Sequence, residues 1–112
     1  MRVQATTKYL PISAQKLRLV ADQIRGMHAD EASIILTHMP KKGAVLARKT
    51  LESAIANAEE NYELSREDLV IQSIQVNEGP SLKRVKAGAR GRYKPRVKRT
   101  AHLTVVLEER EV

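Results

Sequence analysis

Along the first residues of the chain, apolar and polar positions alternate: Val3, Ala5, Thr7 and Tyr9 against Arg2, Gln4, Thr6 and Lys8. A period of two belongs to a strand with one face covered, so residues 2–9 are predicted to form a first strand. After Pro11 the period lengthens. Leu17, Val20, Ala21 and Ile24 recur at the spacing of one helical face, with Ser13 placed to cap its start and Gly26 to end it. Ala32, Ile35, Leu36 and Met39 repeat the pattern between Asp30 and Pro40, which predicts a short second helix. A third and longer helix is predicted from about Lys41 to Asn61. Its apolar face is Ala44, Ala47, Leu51, Ala54, Ile55 and Ala58, and so much alanine lets a neighbouring backbone come close, as expected of the most buried helix.

Leu69–Val76 (LVIQSIQV) has strand composition, and Leu103, Val105 and Leu107 alternate with His102, Thr104, Val106 and Glu108. These two segments flank residues 80–100. A structureless loop of that length is unusual in a compact domain, so both strands are expected to run on past the sheet as a hairpin, with Gly88 and Gly91 near the turn. Each arm is then about ten residues long, and at ~3.3 Å per residue the tip reaches ~30 Å beyond the body. A lone two-stranded ribbon is marginal in water and gains order from what it binds.

Charge sharpens this picture. Residues 80–100 hold nine of the twenty lysines and arginines and no acidic residue, leaving eleven basic against thirteen acidic residues elsewhere, a balance of −2. The net charge of +7 therefore belongs to one segment. The nine are Lys83, Arg84, Lys86, Arg90, Arg92, Lys94, Arg96, Lys98 and Arg99. Arg92, Lys94, Arg96 and Lys98 fall at every second position, which on a strand sets four cations along one face at ~6.6 Å intervals. With Lys83, Arg84 and Lys86 on the first arm and Arg90 near the tip, few faces of the ribbon are expected to be neutral. Such self-repulsion destabilises unless a polyanion offsets it, and a phosphate backbone is the polyanion that gains most, through counterion release. A solvated basic loop, an acidic protein partner and an anionic membrane are the competing readings. Lys16, Arg18 and Arg25 form a smaller basic set on the first helix, either an ordinary charged face or auxiliary phosphate contacts.

At 112 residues the chain is expected to be one domain, residues 1–112, burying roughly 60–70% of its unfolded surface. It has no cysteine, so packing must hold the fold, and the reducing cytosol is the expected compartment. No apolar run approaches the ~20 residues of a membrane span, and the N-terminus alternates where a signal peptide has an apolar block. The aromatic residues are Tyr9, Tyr62 and Tyr93 alone. Modules that hold single strands by stacking bases on a sheet need aromatic platforms, which this sheet is expected to lack, so recognition should be of shape and backbone. Tyr93 either stacks on one base or covers neighbouring aliphatic stems; Tyr9 and Tyr62 are expected to pack. His28, His38 and His102 share no ligand spacing and are read as structural or surface residues. Asp30 and Glu31 suit a helix start, Glu59 and Glu60 a solvated face. Gly88 and Gly91 form no phosphate-binding loop, since no GK[ST] follows. Neither enzyme chemistry, nor a cofactor, metal or small-molecule substrate is implied.

Four blocks carry a resemblance: ISAQKLRLVADQIRG (12–26), SAIANAEEN (53–61), VNEGPSLKR (76–84) and ARGRYKPRVKRTAHLTVVL (89–107). In order and spacing the chain resembles the bacterial family of large-subunit ribosomal proteins numbered twenty-two. The resemblance implies an α+β fold of three helices packed on a small three-stranded antiparallel sheet, with a long basic hairpin. It implies a cytoplasmic protein whose body lies on the outer surface of the large subunit near the tunnel exit. The hairpin then threads through 23S rRNA, touching several of its domains, with neighbouring ribosomal proteins and the nascent polypeptide as further partners. Carried over by position, the hairpin contacts are Lys83, Arg84, Arg90, Arg92, Lys98 and Arg99, and the body contacts Lys16 and Arg18. Lys86, Lys94 and Arg96 join them by charge. Ala87, Gly88, Ala89, Arg90 and Gly91 correspond to the tunnel-lining tip, and Leu82–Arg84 to the segment near the constriction where macrolides bind. Two departures stand out. Ala14 replaces a common proline, and Ala87 and Gly88 replace a proline and an arginine, a lost tip charge that Lys86 is placed to supply. The alternative is an architectural DNA-binding protein whose β-arm inserts Pro95 between base steps; a small nuclease would need a carboxylate or histidine cluster that the sequence lacks.

Overall fold

The computed structural model describes residues 2–87 and 93–110, with the backbone alone for 82–87 and 93–98. The elements follow in the order β1 (Arg2–Leu10), α1 (Ala14–Ile24), α2 (Ala29–His38), α3 (Lys42–Tyr62), β2 (Leu69–Glu78), β3 (Leu82–Ala87), β4 (Tyr93–Lys98) and β5 (Ala101–Glu109). Three helices pack on an antiparallel sheet of order β1-β5-β2, and β3 and β4 form a separate two-stranded ladder. This is the α+β architecture expected; residues 88–92, where the turn is expected, lie outside the described residues.

Local chemistry accounts for the helix ends. Ser13 Oγ accepts the Lys16 amide at 3.4 Å and starts α1, while Gly26 at φ +83° turns the chain out of it. The buried face of α1 is Leu17, Val20, Ala21 and Ile24, as the spacing predicts, with Ala14 added at its start. In α2 the buried set is Ala29, Ala32, Ser33 and Leu36, and Ile35 and Met39 are only partly covered. Ser33 is tolerated inside because its hydroxyl donates to Glu52 Oε1 at 2.6 Å. All six predicted apolar positions of α3 are buried, and Gly43 lets its first turn lie against Val20 and Ile12, where a Cβ would come within 3.1–3.2 Å of their side chains. Arg66, on a short turn before β2, donates from Nε to Asp30 Oδ1 at 2.6 Å and tethers α2; that hydrogen bond raises the guanidinium pKa further above its already high ordinary value.

Two irregularities separate the strands from their simple periodicity. Between Thr7 and Leu10 the pairing of β1 with β5 shifts register, and Tyr9 adopts φ +60°. The extra residue turns Tyr9 out and Leu10 in, so Tyr9 is 63% exposed and its expected packing role falls to Leu10. Tyr62, 49% exposed, also fails to pack: it closes α3 one turn beyond Ala58, the last buried residue of that helix. In β2 the register shifts around Gln72, which keeps both Ile71 and Ile74 on the covered face despite their odd spacing. The opposite sheet face is polar, with Thr6 and Thr104 hydroxyls 3.1 Å apart across the pair.

β5 occupies the centre, and Ala101, Leu103, Val105 and Leu107 are fully buried beneath the helices. The expected hairpin is not a simple continuation of β2 and β5. Their ladder ends at Glu78 and Ala101, followed by a neck in which the Gly79 amide donates to Thr100 O at 2.9 Å and Thr100 Oγ1 donates to Pro80 O at 2.7 Å. Pro80 has no N–H for a ladder, and pairing resumes only at Leu82 opposite Lys98. With the ribbon drawn out, the Cα radius of gyration is 16.9 Å and the longest extent 64 Å, against about 13 Å expected for the radius of a compact chain near this length.

Replacing the buried Leu51 by alanine should cost about 2–5 kcal/mol in urea unfolding, through lost burial and the residual cavity. Ile34→Ala on the exposed side of α2, 60% exposed, should change stability by less than about 0.5 kcal/mol.

Candidate nucleic-acid interface

The register of β3 and β4 decides how the charges are arranged. Leu82 lies opposite Lys98, Arg84 opposite Arg96 and Lys86 opposite Lys94. Opposed residues and their second neighbours share one side of a ribbon, so Arg84, Lys86, Lys94, Arg96 and Lys98 occupy the same side. The other side takes Lys83, Val85 and Ala87 with Tyr93, Pro95 and Val97. The pairing thus aligns the even positions of both arms, so each contributes basic residues to one side of the ladder, with Lys83 on the other. Like charges directly opposed across a ladder destabilise it, so this rail is costly in isolation. Arg90 and Arg92 lie outside the described residues.

At the ribbon root the neck brings distant residues together. Arg99 is exposed and lines two cavities. The smaller, about 260 Å³, lies between it and Ser13, Gln15, Glu78 and Ser81. The larger, about 600 Å³, runs between the starts of α1 and α3 and carries Lys16, Lys41, Lys42 and Arg99 around Ile12, Leu19 and Val20. Lys41 and Lys42 were not singled out in the sequence, since they read only as a helix start. The available signal was their position: two cations at a helix N-terminus run against the macrodipole.

Lys16 and Arg18 part company. Lys16 borders the groove, whereas Arg18 Nη2 donates to Val76 O at 3.1 Å and Arg25 Nη2 to Ile74 O at 3.0 Å. Both arginines thus satisfy carbonyls on the outer edge of β2 and shield it from further pairing, and Arg25 also pairs with Asp22. Neither was legible as an edge cover from helical spacing alone.

Near the neck the Tyr9 amide donates to His102 Nδ1 at 3.1 Å, and the two rings meet edge to face with centroids 5.0 Å apart. The sheet therefore does carry an exposed aromatic, contrary to expectation, because the β1 irregularity swings Tyr9 outward. His102 also covers Gly79, where a Cβ would lie 3.1 Å from its Cε1. His28 precedes α2 and His38 ends it, remote from this pair. Asp30 and Glu31 occupy the first turn of α2, and Glu59 and Glu60 are exposed. Among the described residues no group of three or more histidines and carboxylates could hold a metal, and no helix is long and apolar enough to cross a membrane.

A helical layer on a three-stranded sheet, from which a two-stranded ribbon rich in lysine and arginine extends, defines a small α+β protein built around a basic projection. Comparison with known proteins gives it a family. The model of the family described as Ribosomal protein L22p/L17e matches residues 5–108, and the chain belongs to that family. It is 50% identical to the large ribosomal subunit protein uL22 of Akkermansia muciniphila over 111 residues, 99% of each chain. The protein of the same name from Pediococcus pentosaceus is 50% identical over 96% of this chain and 92% of its own. That from Desulfotalea psychrophila is 49% identical over 97% and 99%.

A side chain at Gly79 would place its Cβ 2.4 Å from Thr100 Oγ1 and displace the hydroxyl that bonds Pro80. Gly79→Ala should therefore destabilise by about 1–3 kcal/mol. Combined with Thr100→Ala, part of that loss should be recovered, a favourable coupling of at least about 0.5 kcal/mol in a double-mutant cycle followed by urea unfolding.

Proposed function

We propose that this protein is a structural constituent of the large ribosomal subunit that binds 23S rRNA through its ribbon, and that residues 87–91 line the nascent-chain exit tunnel. The observation that carries the reading is the shared side of Arg84, Lys86, Lys94, Arg96 and Lys98, together with membership of a ribosomal protein family. Charges so placed repel one another in the free chain and favour a partner with regularly spaced anions. Phosphates of folded RNA meet that need, and releasing their counterions drives association. In this mechanism the ribbon is drawn into a gap between rRNA segments, neutralises phosphates on each, and becomes fixed there. Lys83 and Arg99 extend the contact at the ribbon base, Arg90 and Arg92 toward its tip, and Lys16 and Arg18 add the body. Residues 1–112 act as one domain, with 80–100 as its projecting part. Neighbouring ribosomal proteins are further partners, and the protein resides with the ribosome in the cytoplasm.

The DNA-binding alternative has no observation in its favour. Pro95 pairs with Val85 inside the ribbon, away from the turn where a wedge must stand.

Crosslinking in growing cells, with sucrose-gradient fractionation, tests the reading. Co-sedimentation with the large subunit and crosslinks from residues 82–99 to several distant segments of one rRNA are expected; free protein crosslinked broadly to chromosomal DNA would overturn it. If ~5–9 phosphates are neutralised, affinity for the rRNA should fall by orders of magnitude between ~50 and ~200 mM salt. Arg96→Ala should lower the slope of log affinity against log salt by about 1.

A further inference from the structure

Besides the ribbon, the strongest unexplained feature is the groove of about 600 Å³ between the starts of α1 and α3. We propose that it receives a single unstacked nucleotide of the RNA. The base would rest on the apolar floor, and its flanking phosphates would meet Lys16, Lys41 and Arg99. This rests on the RNA-binding reading above and adds a second, chemically different contact to it.

Three observations carry the inference. The groove combines four cations with no carboxylate in its lining, although acidic residues outnumber basic ones outside residues 80–100. Lys42 is engaged, donating from Nζ to Pro11 O at 2.8 Å, and that bond ties the start of α3 to the chain leaving β1. Lys16, Lys41 and Arg99 are exposed at the rim. Second, Leu19 is 56% exposed and lines the same groove beside buried Ile12 and Val20. A phosphate-only site needs no such floor, whereas a base offers a flat apolar face, and RNA is commonly read through bases splayed out of the stack. Third, Arg99 directly follows the last cation of the ribbon rail, Lys98, so RNA tracking the rail continues to the groove. A guanidinium can both pair with phosphate and stack on a base plane. The volume falls within the ~300–1,000 Å³ range of small-ligand sites.

The test uses the full chain bound to 23S rRNA, with Leu19→Gln and Lys41→Ala as separate variants, reading affinity against salt and the chemical reactivity of individual bases. Leu19 is already exposed, so its replacement should leave the fold intact, as circular dichroism would check; Lys41→Ala gives an independent arm. Leu19→Gln should weaken binding about tenfold with an unchanged salt slope, reflecting lost apolar burial. Lys41→Ala should lower the slope by about 1. Both should unmask the same one or two bases. If Leu19→Gln binds as the parent does and no base changes reactivity while the ribbon footprint persists, the groove holds no nucleotide and only this inference falls. Crosslinks from the groove to a neighbouring protein in the assembled subunit would overturn it in the same way. Loss of every rRNA footprint by the parent chain itself would overturn the RNA-binding reading as well.

Discussion

The structure depends on the two-sided pairing of β5. This last strand joins β1 from the chain start to β2 from its middle, and its four inward side chains form the floor on which the helices rest. None of these contacts is local, so the core closes only when the end of the chain arrives, a topology that makes loop closure a dominant cost of folding. The same strand anchors the ribbon, since β4 leads into it through Arg99 and Thr100. The body and the charged extension are therefore joined through the neck at the start of β5. Anything that loosens β5 loosens the ribbon root.

That root is where order is transferred. Gly79, Pro80 and Thr100 interrupt the ladder but keep their own hydrogen bonds, and His102 packs over the glycine while holding the Tyr9 amide. A two-stranded ribbon has little stability of its own. The neck compensates in part by fixing where the two arms depart, so less freedom remains to be lost when a polyanion is engaged. On the other edge, Arg18 and Arg25 close the exposed carbonyls of β2, which keeps the sheet from recruiting a further strand.

Much of the fold was legible because its signals are periodic. The faces of α1 and α3, the cap at Ser13 and the turn at Gly26 follow from spacing and residue type, and so does the pairing of strand segments around the basic stretch. Tyr62 lies outside because it falls one turn past the last buried residue of α3, but the misreading of Tyr9 has another physical origin. A single inserted residue flips every later side chain on a strand, and nothing in TTKYLP or LVIQSIQ announces where the insertion falls. Hence Tyr9 was expected inside and lies outside, while Ile71 and Ile74 look mismatched and are both covered. The basic groove was illegible for a different reason: Lys16, Lys41 and Arg99 are scattered through the chain, and only packing of α1 against α3 beside the neck makes them neighbours.

The sequence by itself determined the element order, the buried helix, the concentration of charge in residues 80–100 and the family resemblance, because these reside in composition, period and linear motif. Tertiary structure alone decided which charges act together. Register placed cations from both arms of the ribbon on one side, strand-edge carbonyls drew Arg18 and Arg25 away from the groove, and the neck set Arg99 beside Lys16 and Lys41. Salt screens exposed charges beyond about 8–10 Å, so their cooperation is settled by distance in space and not by position along the chain.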